Sequence, residues 1–477
     1  MRRTKIVCTL GPACDSPEII ENMLLEGMNV ARLNCSHGTH EEHKKRIDLV
    51  KKIREQHNLP VAILLDTKGP EIRTGIFKNE GEILNKDQEF RFVIEDVEGD
   101  SSRCSISYKE LYEDVVPGVK ILVNDGAIEM EVTEVSNTDI VCKVLNSGKI
   151  GSQKGMHISG IPLNLPSITE KDIEDMIFAI ENDLDFIAAS FIRKASDIAK
   201  IREVLNSHNG EDIQIIAKIE CQEGLDNIDE IIEIADGIMV ARGDLGVDIP
   251  PEDVPPAQKR IIRKCADAGK PVITATQMLE SMVSSPRPTR AEASDVANAI
   301  FDGTSAVMLS GETAAGKYPV ESLQMMSRIA TTAEENTDYE RRFFTRRRTA
   351  ISPSITNAIS YATCATAHDL DAAAIVSITK SGHTARMVAK FKPACPIIGI
   401  THSPKMRRQL ALSWGVYPYI IGKENNTDSL FSKGTQKALE TGIIKHGDTI
   451  ILTAGVPTWI SGTTNIMKVA IAGEGQE

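Results

Sequence analysis

From the amino terminus, short β-branched, apolar runs alternate with stretches whose apolar positions recur every three or four residues, the spacing of a helix with one buried face. Residues 5–10, 29–33 and 61–66 read as strands, and 16–26 and 40–56 between them read as helices. Such β-α-β-α-β alternation implies parallel strands with covering helices. Between about 71 and 168 the helical spacing disappears, and turn-punctuated strands at 90–94, 120–123, 128–132 and 140–145 take its place. Alternation resumes at Thr169, where Thr169-Glu170-Lys171-Asp172 opens a helix running through Ile180. Strands then follow at 186–189, 213–219, 237–241, 272–275 and 306–309.

Counting both sides of the insertion gives eight strands separated by helix-sized intervals. The expected fold class is therefore α/β: a (β/α)8 TIM barrel interrupted after its third strand by a β-rich domain. Past residue 341 a second alternation begins, with helices at 354–368, 383–391 and 427–441 and strands at 373–378, 397–400 and 449–453, the pattern of an open parallel sheet. The division expected is 1–70 and 169–340 for the barrel, 71–168 for the insertion and 341–477 for the C-terminal domain. The basic run at 341–348 is read as a solvated linker between the last two, because it is isolated and unrepeated.

Composition narrows the function classes. With 477 residues, 41% hydrophobic and 25% charged, the chain has enough apolar content for two or three real cores. It has no apolar stretch of membrane-spanning length, and its first five residues lead straight into a strand, so a soluble, cytoplasmic protein with no membrane partner is expected. A net charge of −13 argues against nucleic acid as a partner, and means that groups binding an anion must be clustered locally. The nine cysteines form no C-x-x-C pair, so neither a disulfide framework nor a zinc site is expected.

In a barrel of this kind the chemistry gathers where strands end. Six of the predicted strands end in polar clusters: Arg32 to His37, Asp66-Thr67-Lys68, Lys218-Ile219-Glu220, Arg242-Gly243-Asp244, Thr276-Gln277 and Ser310-Gly311-Glu312. Glu220 and Asp244, from adjacent strands, can hold a hard cation while leaving positions for substrate oxygens, the manner of Mg2+; ion pairs with Lys218 or Arg242 are the alternative. Asn34, Ser36, Asp66 and Thr67 form an oxygen-rich set with one full negative charge, suited to a larger monovalent ion or simply to a hydrogen-bond network. Arg32, Arg73, Lys218 and Lys171 supply cations for an anionic substrate. In the C-terminal domain Thr379, Lys380, Ser381, Gly382, His383 and Thr384 lie between a strand and a helix, and read as a phosphate cradle or as an ordinary capped helix start.

At these residues a resemblance becomes specific. Residues 4–12 (TKIVCTLGP), 32–38 (RLNCSHG), 66–75 (DTKGPEIRTG), 218–224 (KIECQEG), 239–247 (MVARGDLGV), 275–282 (ATQMLESM), 286–292 (PRPTRAE) and 308–313 (MLSGET) together resemble the pyruvate kinase family, in order and over nearly the whole chain. The resemblance implies transfer of the phosphoryl group of phosphoenolpyruvate to ADP, with Mg2+ (or Mn2+) on Glu220 and Asp244 and K+ on Asn34, Ser36, Asp66 and Thr67. It implies that Arg73 and Lys218 hold the phosphoryl group, and that Arg32, Asn34, His37, Arg73 and Lys171 lie on the nucleotide side. Arg32, Lys218, Gly243, Asp244 and Thr276 would bind the substrate, and Thr276, Ser310 and Glu312 would lie where the proton is delivered. Glu71 matches the potassium-dependent members. The insertion is expected to be a β-barrel lid, residues 379–384 a sugar-phosphate effector loop, and the assembly a homotetramer. Cys35, Cys221 and His383 depart from the commonest pattern, and the extra C-terminal domain of certain bacterial members is not expected. Another phosphoenolpyruvate or pyruvate barrel enzyme sharing the metal-enolate site, and an idle sugar-phosphate sensor, are the competing readings.

Overall fold

The structure is a computed structural model and describes residues 1–79, 81–161, 163–347, 353–424, 426–460 and 462–474. Eight parallel strands close into a barrel: β1 Lys5–Thr9, β2 Val30–Asn34, β3 Ala62–Asp66, β4 Phe186–Ala189, β5 Gln214–Ile219, β6 Gly237–Ala241, β7 Val272–Ala275 and β8 Ala306–Leu309. Each pairs with its chain neighbour, and β8 returns to β1 with Lys5 opposite Ala306. Successive side chains along each strand face alternately inward and outward. Val7, Leu64, Phe186, Ile216, Met239 and Met308 fill the interior, while Ile6, Cys8, Ile63 and Ile187 pack outward among helix residues such as Ile47, Ile198 and Ile261. Three of the covering helices start at capping boxes, Thr39 with Glu42, Thr169 with Asp172 and Thr289 with Glu292. In each, hydroxyl and carboxylate satisfy backbone donors that the first turn leaves open.

The insertion leaves the barrel after β3. A seven-stranded sheet running from Ile72–Arg73 to Gly155–Ser159 curls until its edges meet at an antiparallel bridge between Thr74 and Ile106. Gly75 N donates to Ser105 O across that seam at 2.7 Å. Its core of Phe90, Phe92, Ile121 and Met130 is separate from that of the barrel, so the insertion can move as a body.

The C-terminal sheet has the order β11-β10-β9-β12-β13, with β9 Ala374–Ile378, β10 Ile397–Thr401, β11 Val416–Ile420, β12 Thr449–Gly455 and β13 Thr464–Ile471. The edge strands β11 and β13 are additions to the sequence-based expectation, and β13 runs antiparallel to β12. The basic run is a further correction. Tyr339–Arg347 is a helix rather than a linker, because Phe343 is buried and stacks on Tyr361 with ring centroids 5.1 Å apart, anchoring the segment to the C-terminal core. Arg348, at the end of the expected linker, lies outside the described residues.

The C-terminal domain docks on the end of the barrel away from the polar strand ends. Leu412 enters the barrel's interior cluster from below. Beside it Arg408 Nε meets Asp185 Oδ1 at 2.7 Å and Arg408 Nη2 meets Asp183 Oδ2 at 2.9 Å, while Lys405 pairs with Asp183 and Asp212 at 3.1 and 2.9 Å. Asp185 is fully buried at the start of β4, and its carboxylate also accepts from Ile63 N at 2.8 Å.

Candidate active site

The barrel's C-terminal rim carries one continuous polar chain crossing five strands. Arg32, at the end of β2, donates from Nε to Asp66 Oδ2 at 2.7 Å and from Nη1 to Thr9 Oγ1 at 2.8 Å. Lys218, on β5, places Nζ 3.1 Å from Asp66 Oδ1 and 3.0 Å from Glu220 Oε1, and donates to Ser190 Oγ at 2.6 Å. Ser190 in turn donates to Thr67 O at 2.6 Å, and Phe191 N donates to Glu220 Oε2 at 2.6 Å. Burial opposes the charge on Lys218, but Asp66 and Glu220 outweigh it and hold the ammonium above its ordinary range. Asp66 is likewise desolvated, yet Arg32 and Lys218 keep its carboxyl below the usual value. Lys218 is thus a fixed cation in a dry site, where it acts more strongly than in water.

Glu220 differs. Burial pushes its carboxyl up to about 7, Lys218 offsets part of that rise, and the like charge of Asp244 adds to it. A buried acid whose charge is disfavoured both by burial and by a neighbouring carboxylate fits a divalent cation, which would relieve the repulsion; Mg2+ needs only one or two protein carboxylates. Among the described residues no set of three or more His, Cys, Asp or Glu side chains is arranged for a metal, so the remaining positions would fall to substrate and water.

Gly243 N donates to Thr276 Oγ1 at 2.7 Å, and that hydroxyl donates to Ala275 O at 2.6 Å. Thr276 and Gln277 both adopt left-handed backbone, φ 68° and 52°. For a β-branched residue this conformation is strained, and strain of this kind clusters at functional sites. Arg242 restrains it by donating to Thr276 O at 2.7 Å and pairing with Asp295 at 2.8 Å, so Arg242 is engaged away from the acids. Both oxygens of buried Glu312 accept backbone amides, Leu279 N at 3.0 Å and Ser310 N at 2.7 Å. Glu312 therefore ties the turns after β7 and β8 together.

Asn34 and Asp66 are opposite one another on β2 and β3, Ser36 N donates to Asn34 Oδ1 at 3.2 Å, and Thr67 N donates to Ala188 O at 3.0 Å. These oxygen-bearing residues therefore share one corner of the rim. His37 is exposed beside them. Lys171 is drawn aside: Nζ lies 3.2 Å from Asp175 and 3.4 Å from Glu174.

Arg73 is on the insertion, and its contacts stay there. Its guanidinium pairs with Glu71 at 2.6 Å and donates to Gln153 O at 2.7 Å, and among the described residues no ion pair or hydrogen bond carries it to Lys218 or Glu220. A cavity of about 290 Å³ separates the two bodies, with Glu71, Ile72, Met156 and Ile158 on one wall and Phe191, Glu220 and Gln222 on the other. Lys218, Glu220 and Asp244 thus act on one another at the barrel rim, while Arg73 stands across the cleft.

Sequence reading missed Ser190. It follows β4, one of the two strands whose ends carried no polar cluster, and only its place as a small polar residue at a strand end would have marked it.

In the C-terminal domain residues 379–384 face Gly455, Trp459 and Gly462 across a small cavity. Thr384 Oγ1 and Thr464 Oγ1 are 2.8 Å apart, and Gly382 has φ 77°. Burial, with Arg386 nearby, lowers the His383 imidazole below its usual range.

An interrupted (β/α)8 barrel with a buried lysine between carboxylates at its C-terminal rim suits phosphoryl transfer, which needs charge stabilisation more than covalent catalysis. The sequence models for "Pyruvate kinase, barrel domain" and "Pyruvate kinase, alpha/beta domain" match residues 1–323 and 357–470. A pyruvate kinase of Clostridium acetobutylicum is 52% identical over 472 residues, 99% of this chain and 100% of that protein. One of Sporosarcina psychrophila is 53% identical over 99% of this chain and 81% of its own length. The crystal structure of a pyruvate kinase from Cryptosporidium parvum superposes with a TM-score of 0.94 at 41% identity, covering 99% of this chain and 96% of that one. The chain belongs to the pyruvate kinase family and is a phosphotransferase with that family's activity.

Proposed function

We propose that this rim transfers the phosphoryl group of phosphoenolpyruvate to ADP, and the observation that carries the reading is Lys218, held charged between Asp66 and Glu220 at the mouth of the barrel. Glu220 and Asp244 would hold Mg2+ (or Mn2+), which when bound supplies charge neutralisation for phosphoryl and enolate oxygens. The corner formed by Asn34, Ser36, Asp66 and Thr67 would hold K+. Lys218 faces the negative charge that develops as the phosphoryl group leaves, and needs no reorganisation because Ser190, Asp66 and Glu220 already fix its position. The backbone N–H of Asp244 lies where the strand turns into a short helix and would orient the substrate carboxylate, next to Gly243, whose own N–H is held by Thr276 Oγ1. Thr276, poised by its strained turn, lies beside them, with Ser310 and Glu312 bracing the far side.

Arg73 completes the phosphoryl site only when the lid swings across the cleft, and that closure would also exclude water from the donor. Arg32 acts on the nucleotide side chiefly by holding Asp66, with His37 and Lys171 further out. The assay that tests this reading follows pyruvate formed from phosphoenolpyruvate with Mg2+, with and without ADP and K+. Turnover should require ADP and fall sharply without K+; pyruvate release without ADP would favour the competing barrel reading.

Residues 379–384 are proposed to bind a phosphorylated effector. Lys380→Glu and Thr384→Ala should abolish activation by sugar phosphates while leaving unactivated turnover at its original level. Calorimetric titration checks this, and undiminished binding by both variants would remove the loop from the account.

A further inference from the structure

The interface between the barrel's closed end and the C-terminal domain contains a recess that the chemistry above does not use. Its volume is about 30 Å³. A single water needs only about 10–15 Å³ on the same measure. Lys270, from the turn before β7, faces Arg386, Lys390 and Lys392 of the C-terminal domain across it, and Ser305 and Ser413 add hydroxyls. None of its lining residues is an Asp or Glu. Lys390 and Lys392 are only 5% and 3% exposed, so they cannot rely on bulk water for solvation.

A cation out of water needs acceptors or a counter-charge. Several acceptors in place are neutral. Lys270 donates to Glu233 O and Ala235 O at 2.6 Å each, Arg386 to Ser381 O at 2.9 Å, and Lys390 to Asn357 Oδ1 at 3.1 Å. Lys392 donates to Thr304 O at 3.4 Å and lies 4.2 Å from the centre of the Trp414 ring. The carboxylate that acts on both Lys270 and Arg386 is Asp236, and it is already paired with Arg202 at 2.9 Å. Burial lowers both Lys270 and Arg386 below their ordinary ranges, as expected of cations whose surroundings fall short of full compensation.

We infer that this recess binds a compact tetrahedral oxyanion, inorganic phosphate or the phosphoryl group of a small phosphoester, at a site separate from residues 379–384. Such an anion would accept from both domains at once and so clamp the C-terminal domain to the barrel. Arg386 also gives the site a route to the loop, since the guanidinium that faces the recess donates to Ser381 O.

The test is calorimetric titration of the full-length protein with inorganic phosphate at constant ionic strength, in wild type, Lys270→Gln and Lys380→Glu. Lys270 is only half-buried, so its replacement should leave the fold intact; a thermal melt of each variant verifies this. Wild type should show a phosphate site that Lys270→Gln weakens by about tenfold or more, the usual consequence of losing one charged hydrogen-bond donor, and that Lys380→Glu leaves unchanged. Ribose 5-phosphate added first separates the sources: displacement of phosphate from the Lys270-dependent site marks the ester as the better occupant, and its persistence marks free phosphate. Binding lost in Lys380→Glu but retained in Lys270→Gln, or no saturable site in wild type, would overturn the inference and leave the recess to water.

Discussion

Replacing Lys218 with methionine is expected to lower turnover by at least ~10²–10³, the scale on which one charge-stabilising donor acts in a preorganised site. The argument rests on its position. Lys218 contacts Asp66, Glu220 and Ser190 at 3.0–3.1 Å and 2.6 Å, so the ammonium is fixed and has no shell of water to shed. Methionine fills a similar volume without charge, and Glu220 and Asp244 both remain. Binding of Mn2+, followed by its electron paramagnetic resonance signal, should therefore persist while the coupled assay records the loss. Unchanged turnover would contradict the role given to Lys218, and simultaneous loss of Mn2+ binding would show that the lysine serves the metal site instead.

The second large effect is expected far from the chemistry. Arg408→Ala should destabilise the protein by about 3 kcal/mol, because it strands the buried Asp185 carboxylate without its main partner. Arg54, at 3.7 Å, is the nearest remaining cation. Burial already raises the Asp185 carboxyl despite both arginines, so little margin remains for losing one. Asp185→Asn combined with Arg408→Ala should recover part of the loss, since the uncompensated charge is then gone. Scanning calorimetry checks both. A single variant that melts like wild type would mean that the domains are held chiefly by apolar contacts such as Leu412 in the barrel interior.

The barrel was legible because its strands are short apolar runs between helices with strong start signals, and all eight fall within a few residues of their expected places. The polar clusters at six strand ends were legible for the same reason: a rim residue sits immediately after an apolar run. Ser190 was not, since its importance lies in bridging Lys218 to Thr67 and no local pattern encodes that. The helix Tyr339–Arg347 was hidden by its arginines; among its described residues Phe343 is the one buried in the core, too little for a periodic signal. The strand β13 was missed because an antiparallel edge strand departs from the alternation used to find the others. Arg73 shows a different limit. Sequence places it after the GPE segment, but its distance from Lys218 depends on where the lid stands, which no residue pattern fixes.

The central claim is that Glu220, Asp244 and Lys218 form one metal and phosphate site at the barrel rim. Anomalous scattering from crystals grown with Mn2+ and a non-hydrolysable phosphoenolpyruvate analogue tests it most directly. The expected map has a manganese peak bridging the Glu220 and Asp244 carboxylates, with Lys218 Nζ in contact with the bound anion. A manganese peak elsewhere, or an anion bound out of reach of Lys218, would contradict it.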